Sequence, residues 1–226
     1  MENLLLDVKK TLKEVPSLLL TLFVMAIVTM NLLANKSVNL PFTWLALDCG
    51  IIVSWVSFLT MDIIVKKFGA KTSIIVSVIA LIVSLFISFL LFLGSSIPGA
   101  WGESFVENGD IINKALDATF AGSWYVVLGS SIAFLCSSIV NSVLNEWIGD
   151  QIQQKDFKEF ALRSYISTMI GQFVDNLVFA LIVSLNFFGW SFIQCITCAL
   201  TGAIVELLFE VVFSPFGYYV VNHWED

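Results

Sequence analysis

The sequence predicts an all-α integral membrane protein with six transmembrane helices. Of its 226 residues, 58% are hydrophobic and only 13% are charged, whereas soluble domains carry roughly a quarter charged residues. Its apolar runs reach about 20 residues, the length that a helix needs to cross a hydrocarbon core about 30 Å thick. They do not alternate in polarity as the strands of a membrane barrel would. We therefore expect one six-helix transmembrane domain over residues 1–226.

The predicted helices follow one another along the chain with mostly short polar connections. They cover approximately residues 15–33, 47–65, 73–93, 123–148, 160–188 and 191–213. The long third connection, residues 94–122, is acidic and has room for a short surface helix around residues 111–119. The connection at Gly189 is so tight that the last two helices are expected to be antiparallel neighbours.

The distribution of Lys and Arg predicts the orientation. Nine of these residues, among them Lys155, lie before the first helix or in the second and fourth connections, and two lie on the other side. Because cytoplasmic loops carry an excess of Lys and Arg, we predict that both termini are cytoplasmic. The expected location is the cell (inner or plasma) membrane, with multiple passes.

The two halves of the chain show a faint internal similarity. A division into three plus three helices places the halves in opposite orientations, and each half has an aspartate shortly after a phenylalanine, Phe58 with Asp62 and Phe173 with Asp175. Inverted repeats with binding groups near the middle of the membrane are common in transporters. The sequence thus suggests a 3+3 inverted repeat.

Three acids lie well inside apolar runs, namely Asp62, Asp175 and Glu206. A carboxylate there costs at least about 2.5 kcal/mol, so it usually faces a cavity, a partner or a transport pathway. Asp175 lies closest to the middle of the bilayer and favours a functional role. For Asp62 the sequence favours equally a functional role and a local ion pair with Lys66, four residues later. Glu210 is expected to reach water at the cytoplasmic end.

Amide and aromatic side chains accompany these acids at helical spacing. The candidate substrate-binding residues are Asp62, Asp175, Asn141, Gln172, Asn176, Glu206, Trp55, Phe58 and Phe179. The structural alternative is that the polar members only hydrogen-bond one helix to another.

Several classes of function are disfavoured. His223 is the only histidine, so neither a nucleophile–base pair nor a zinc site can be assembled around it. With 11 Lys and Arg against 18 Asp and Glu, the chain lacks the basic surface that nucleic acid requires. We expect no enzymatic activity, no catalytic residues, no metal, no cofactor and no nucleic-acid partner.

Residues 57–69 resemble a motif of a known family. The segment places Phe58 before Asp62, followed by the charged Lys66 and then by Gly69. This order resembles the second-helix motif of the queuosine precursor transporters, also called the vitamin-uptake-transporter-like (VUT) family.

A second motif of the same family is similar to residues 163–179. There a stretch of small residues precedes the pair Asp175-Asn176 and then Phe179, as in the fifth helix of the family. Residues 214–218 resemble the proline and tyrosine with which the sixth helix of the family ends.

The resemblance extends in order over residues 31–219 and has two departures. Lys66 occupies a position where many members carry Glu, and Glu206 lies near a position where members often carry Lys. We therefore expect a local charge pair whose signs are reversed.

The resemblance implies uptake of 7-deazaguanines, the 7-cyano or 7-aminomethyl precursors of the modified tRNA base queuosine. One carboxylate can accept the adjacent N–H and amine of a guanine-like edge, and aromatic rings can stack on the flat heterocycle. The predicted function is a secondary carrier that binds its substrate between helices near the middle of the membrane. Asp62 and Asp175 are its principal substrate or proton-coupling groups.

Two other functions stay open from the sequence. The chain has no ATP-binding motif, so it could be a substrate-binding membrane subunit that depends on a separate ATP-driven module. It could also be a structural membrane protein without a ligand. The expected partners are a small molecule and the lipid bilayer, and the sequence is compatible with a homodimer.

Overall fold

The computed structural model describes residues 2–38, 40–42, 44–45, 47–102, 105–121, 124–152 and 156–223. In this part the chain is helical, which confirms the predicted all-α class. The helices are α1 (Glu2–Glu14), α2 (Ser17–Leu33), α3 (Ile51–Ser96), α4 (Gly109–Ala121), α5 (Trp124–Gln151), α6 (Phe157–Phe179), α7 (Leu185–Phe187) and α8 (Phe192–His223). A π-helical turn, Ala180–Ser184, joins α6 to α7. Ser123, the predicted start of the fourth helix, and Lys155 lie outside the described residues.

Several of these helices can cross a membrane by length and composition. Within the described ranges they are four: α3, the segment that ends with α5, the α6–α7 segment and α8. A fifth span results if α2 is counted together with α1, to which it is inclined by 106°. These spans agree with the multi-pass membrane protein that the composition predicts.

The 46-residue helix α3 breaks at Gly69, whose backbone angles are φ 82° and ψ 163°. A straight helix of this length would measure about 69 Å, more than twice the thickness of the hydrocarbon core. The positive φ at the break is one that glycine adopts without a steric penalty.

Contacts with α5 show that α3 reverses direction at this break. Asp62 accepts a hydrogen bond from Asn141 at 2.9 Å, and Ser73 lies 3.0 Å from the neighbouring Ser142. A straight helix would separate positions 62 and 73 by about 16 Å, too far for both contacts. The two arms of α3 thus contain the predicted third helix and the predicted second helix from Ile51 onward, and the described residues of all six predicted apolar runs are helical except at some of their ends.

Three features differ from the predictions. No helix was predicted for α1, and the connection predicted between the second and third helices is itself helical on both sides of Gly69. The last helix continues to His223 instead of ending near residue 213, with Pro215 inside it. Pro215 has no N–H to donate to the Val211 carbonyl, but the Ser214 hydroxyl donates to that oxygen at 3.3 Å. The surface helix predicted in the third connection is present as α4.

The distribution of side chains is the reverse of that in a soluble protein. Large apolar residues such as Phe86, Ile204 and Leu208 are exposed on the outside. The interior contains rings such as Phe58 and Phe134, but it also holds buried Ser, Asn, Gln, Asp and Glu side chains. An apolar exterior suits lipid, and the polar groups gather between α3, α5, α6 and α8, which pack on one another.

Candidate functional site

Three carboxylates line one small cavity between the helices. They belong to Asp48, Asp175 and Glu206, and we call this space the carboxylate cavity. Its other lining residues are Met30, Ala34, Gly50, Ile51, Ser54, Ser130, Asn176 and Phe179. The cavity has a volume of about 20 Å³, which is enough for about one water molecule.

Asp175 and its neighbours on α6 form one wall of the cavity. Asp175 is partly buried and accepts a hydrogen bond from the Ser137 hydroxyl of α5 at 2.9 Å. Asn176 Nδ2 donates to the backbone oxygen of Gln172 at 2.9 Å. Helix α8 can approach this wall because it carries Gly202, where a Cβ atom would lie only 2.6 Å from Asn176 Nδ2. The glycine therefore allows α8 to lie close to α6 beside the cavity.

Glu206 of α8 lies opposite this wall and is almost completely buried. The Ser54 hydroxyl of α3 donates to Glu206 Oε1 at 2.5 Å, and Glu206 Oε2 has no hydrogen-bond partner in the described part of the chain. An unsatisfied buried polar atom costs about 1–3 kcal/mol. Such an atom beside a cavity is poised to accept a hydrogen bond from a ligand.

Asp48 completes the set and was missed by the sequence analysis, which placed it inside the helix predicted at residues 47–65. It instead ends the loop before α3, where its Oδ1 accepts the N–H of Gly50 at 2.7 Å. Hydrogen bonds from Val38 to Leu47 and from Cys49 to Lys36 fold this loop onto itself. Burial raises the pKa of Asp48 from 3.8 to about 6, and the Gly50 hydrogen bond offsets part of the shift. The Asp-x-Gly spacing, typical of a turn, was the available signal.

The carboxylate cavity has a marked charge imbalance. No Lys, Arg or His belongs to the described residues that line it. A buried charge requires a partner of opposite charge or hydrogen-bond donors, because the free-energy cost of removing it from water is otherwise not offset. The three acids can therefore be balanced by protons, or by a ligand that is cationic or rich in N–H donors.

Asp62 does not line the carboxylate cavity but lies in a separate buried cluster. It accepts hydrogen bonds from Asn141 at 2.9 Å, Ser164 at 2.5 Å and Thr168 at 3.2 Å. Ser164 Oγ also lies 2.5 Å from Glu210 Oε1. We call these five residues the Ser164 cluster. Glu210 has no exposed surface, so the expectation that it reaches water is wrong.

Ionic contacts beside this cluster differ from those expected. Lys66 bonds to Glu159, so the local ion pair with Asp62 that the sequence left open is absent from the described contacts. Glu159 also binds Arg163 Nη1 at 3.0 Å, and Arg163 Nε donates to Asn145 at 2.7 Å. The charge pair that the family departures suggested is therefore absent from the described contacts, since Lys66 and Glu206 have different partners.

The remaining predicted residues lie away from the carboxylate cavity. Phe58 is fully buried and meets Phe134 edge-on, with ring centroids 6.3 Å apart. Trp55 stacks on Phe213 of α8 at 4.1 Å. Gln172 is fully buried, and neither its oxygen nor its nitrogen has a partner among the described atoms. Of the three predicted aromatic walls, only Phe179 lines the cavity.

Comparison with protein families gives a match. The model of the family described as "Putative vitamin uptake transporter" matches residues 48–220. The matched region starts at Asp48 and includes every acid of the carboxylate cavity and the whole Ser164 cluster. No curated protein and no solved structure matches the chain.

Proposed function

Since the chain belongs to the vitamin uptake transporter family, we propose that it is a secondary carrier for queuosine precursors. The substrate is the 7-cyano or the 7-aminomethyl derivative of 7-deazaguanine, and it binds in the carboxylate cavity near the middle of the membrane. The carrier works in the cell (inner or plasma) membrane with both termini in the cytoplasm.

The observation that carries this proposal is the set of three acids in one cavity whose described lining residues include no cation. A carboxylate such as Asp175 can accept the N–H and the amine of a guanine-like edge together. Glu206 and Asp48 are then available for the ammonium group of the 7-aminomethyl compound. Asn176 can reach the acceptor atoms of the ring, and Phe179 can stack on its face.

The cavity must widen before a base can enter, because ligand sites of known proteins measure about 300–1,000 Å³. Movement of α8 away from α3 and α6 would provide this space, in keeping with the rocking motions of secondary carriers. The π-helical turn after Phe179 is an irregularity of a kind that often marks functional sites. The unpartnered amide of Gln172, one turn before Asn176, is available for a bond in the opened state.

The proposal is tested by uptake of labelled 7-aminomethyl-7-deazaguanine into proteoliposomes that contain only this protein. Saturable uptake without ATP, inhibited by unlabelled 7-cyano compound, is the expected result. Adenine is the matched control ligand and should not compete, because its amine stands beside a ring acceptor instead of an N–H.

Two results would favour the rival functions. Binding of the base without transport, with transport restored by a separate ATPase and ATP, would identify a substrate-binding subunit. If the unfolding temperature of the purified protein does not respond to any guanine-like compound, the ligand-free structural function is favoured, because a ligand of the folded state raises stability.

A further inference from the structure

The hydrogen bonds of the Ser164 cluster require one more proton than its hydroxyl group supplies. Ser164 Oγ lies 2.5 Å from Asp62 Oδ2 and 2.5 Å from Glu210 Oε1. A serine hydroxyl has one proton to donate, so it can satisfy one of these two contacts as donor. The other contact is a hydrogen bond only if the carboxyl group itself is protonated and donates to Ser164.

The partners of the two acids indicate which one holds the proton. Asp62 accepts hydrogen bonds from Asn141 and Thr168 in addition to Ser164, and such a set of donors stabilises an ionised carboxylate. In the described structure Ser164 is the only hydrogen-bond partner of Glu210, whose Oε2 is fully buried and has no partner. Glu210 is therefore the protonated acid.

The charges around the cluster support the same assignment. The charged or titratable groups that belong to the cluster or stand close to its members along the described helices are Asp62 and Lys66 of α3, Glu159, Arg163 and Tyr165 of α6, and Glu206 of α8 itself. Helix α5 adds the neutral amides of Asn141 and Asn145. The two cations next to the cluster are balanced by Glu159 and ionised Asp62. An ionised Glu210 would leave one uncompensated negative charge in a buried site, which is unfavourable.

We propose that Glu210 is the proton-coupling site of the carrier and that Ser164 relays its proton to Asp62. In the relay, the Glu210 O–H proton passes to Ser164 Oγ while the Ser164 proton passes to Asp62 Oδ2. The step leaves Glu210 ionised, Asp62 protonated and Ser164 unchanged. What the proton drives rests on the proposed function, whereas the protonation of Glu210 does not.

The first test separates coupling from substrate exchange. Wild-type protein in proteoliposomes should accumulate 7-aminomethyl-7-deazaguanine when the side from which the base enters is acidic. Glu210→Gln should lose this accumulation but keep exchange of labelled for unlabelled base at equal pH, because the glutamine amide donates to Ser164 permanently and cannot release a proton. Glu107→Gln, at an exposed position, is the matched control and should keep both activities. Proton-driven accumulation by Glu210→Gln, or wild-type uptake that does not respond to the pH gradient, would overturn the inference and leave the proposed function intact.

The second test needs no substrate and applies even if the protein carries none. The infrared C=O stretching band of protonated carboxylic acids should be present in the wild type at neutral pH, should lose the contribution of one acid in Glu210→Gln and should stay unchanged in Glu107→Gln. If Glu210→Gln does not fold, Ser164→Ala replaces it, and the band should shift because the acid loses its hydrogen-bond partner. If Glu210→Gln, or Ser164→Ala where it is used instead, leaves the band unchanged, Glu210 is not the protonated acid.

Discussion

Substitution of Asp175 by asparagine tests the carboxylate cavity most directly. The side chain keeps its shape, and its oxygen can still accept the Ser137 hydroxyl now bonded at 2.9 Å. In the native protein each carboxylate oxygen can still accept a hydrogen bond from the substrate, whereas in Asp175→Asn one of the two atoms becomes an N–H donor. A hydrogen bond to a charged group contributes about 1.5–3 kcal/mol, so Asp175→Asn should raise the Kd of 7-aminomethyl-7-deazaguanine about 10- to 150-fold.

The fold should not suffer from this change. Asp175 lies close enough to Glu206 for their charges to interact, so loss of one negative charge leaves the stability equal or higher. Equilibrium binding of the labelled base in detergent, together with thermal unfolding of the same samples, measures both effects. Asp110→Asn, at an exposed position on α4, is the control and should bind as the wild type does. Wild-type affinity in Asp175→Asn would refute the placement of the base in this cavity.

Three further predictions concern stability, measured by denaturant unfolding in detergent micelles. Gly202→Ala should destabilise the protein by about 1–3 kcal/mol, because the new Cβ would lie 2.6 Å from an amide nitrogen of α6. The control Gly94→Ala should not destabilise it, because a Cβ there has no atom within 4 Å. Equal effects of the two substitutions would contradict the close approach of α8 to α6. Asp48→Asn should be more stable than the wild type at pH 8 by roughly 1–3 kcal/mol, and the gain should vanish below about pH 4. Because the pKa of Asp48 is raised to about 6 in the folded protein, folding favours the neutral acid, and the wild type loses stability as the pH rises through 6. A stability gain of Asp48→Asn that does not depend on pH would contradict the raised pKa. Glu159→Gln should lower the free energy of unfolding by about 3–5 kcal/mol, because two cations lose their buried counterion. The control Asp7→Asn breaks an exposed ion pair and should lower it by less than about 1 kcal/mol. Similar losses in the two variants would argue against a buried network at Glu159.

The helices could be predicted because the bilayer imposes a length and an apolar composition on each of them. The break at Gly69 was recognised only as a polar connection between two runs. This polar connection contains lysines, but lysine is a good helix former, and the chain is helical on both sides of the single glycine. The error at Pro215 has a similar cause, because a nearby serine hydroxyl replaces the missing donor and no local pattern reveals this.

The site was less predictable because depth in the membrane does not determine which way a side chain points. Asp62 and Asp175 have similar sequence surroundings, yet the first receives three hydrogen bonds in a closed cluster and the second lines a cavity. Trp55 satisfied the spacing for a stacking wall, but it packs on Phe213 instead. Asp48 reaches the cavity through a folded loop. Such contacts depend on how helices pack, and helical periodicity gives only the face of each helix.

The two acidic sites are connected through a single helix. Glu206 of the carboxylate cavity and Glu210 of the Ser164 cluster are one turn apart on α8, about 6 Å along its axis. Glu206 is joined to Ser54 of α3, and Glu210 to Ser164 of α6, each at 2.5 Å. A displacement of α8 that widens the cavity for a base lengthens both contacts, because a helix moves as a rigid element over one turn. In the proposed mechanism, the motion that admits the substrate separates Glu210 from its relay, so that the proton can pass from Glu210 to Asp62 only while the cavity is closed.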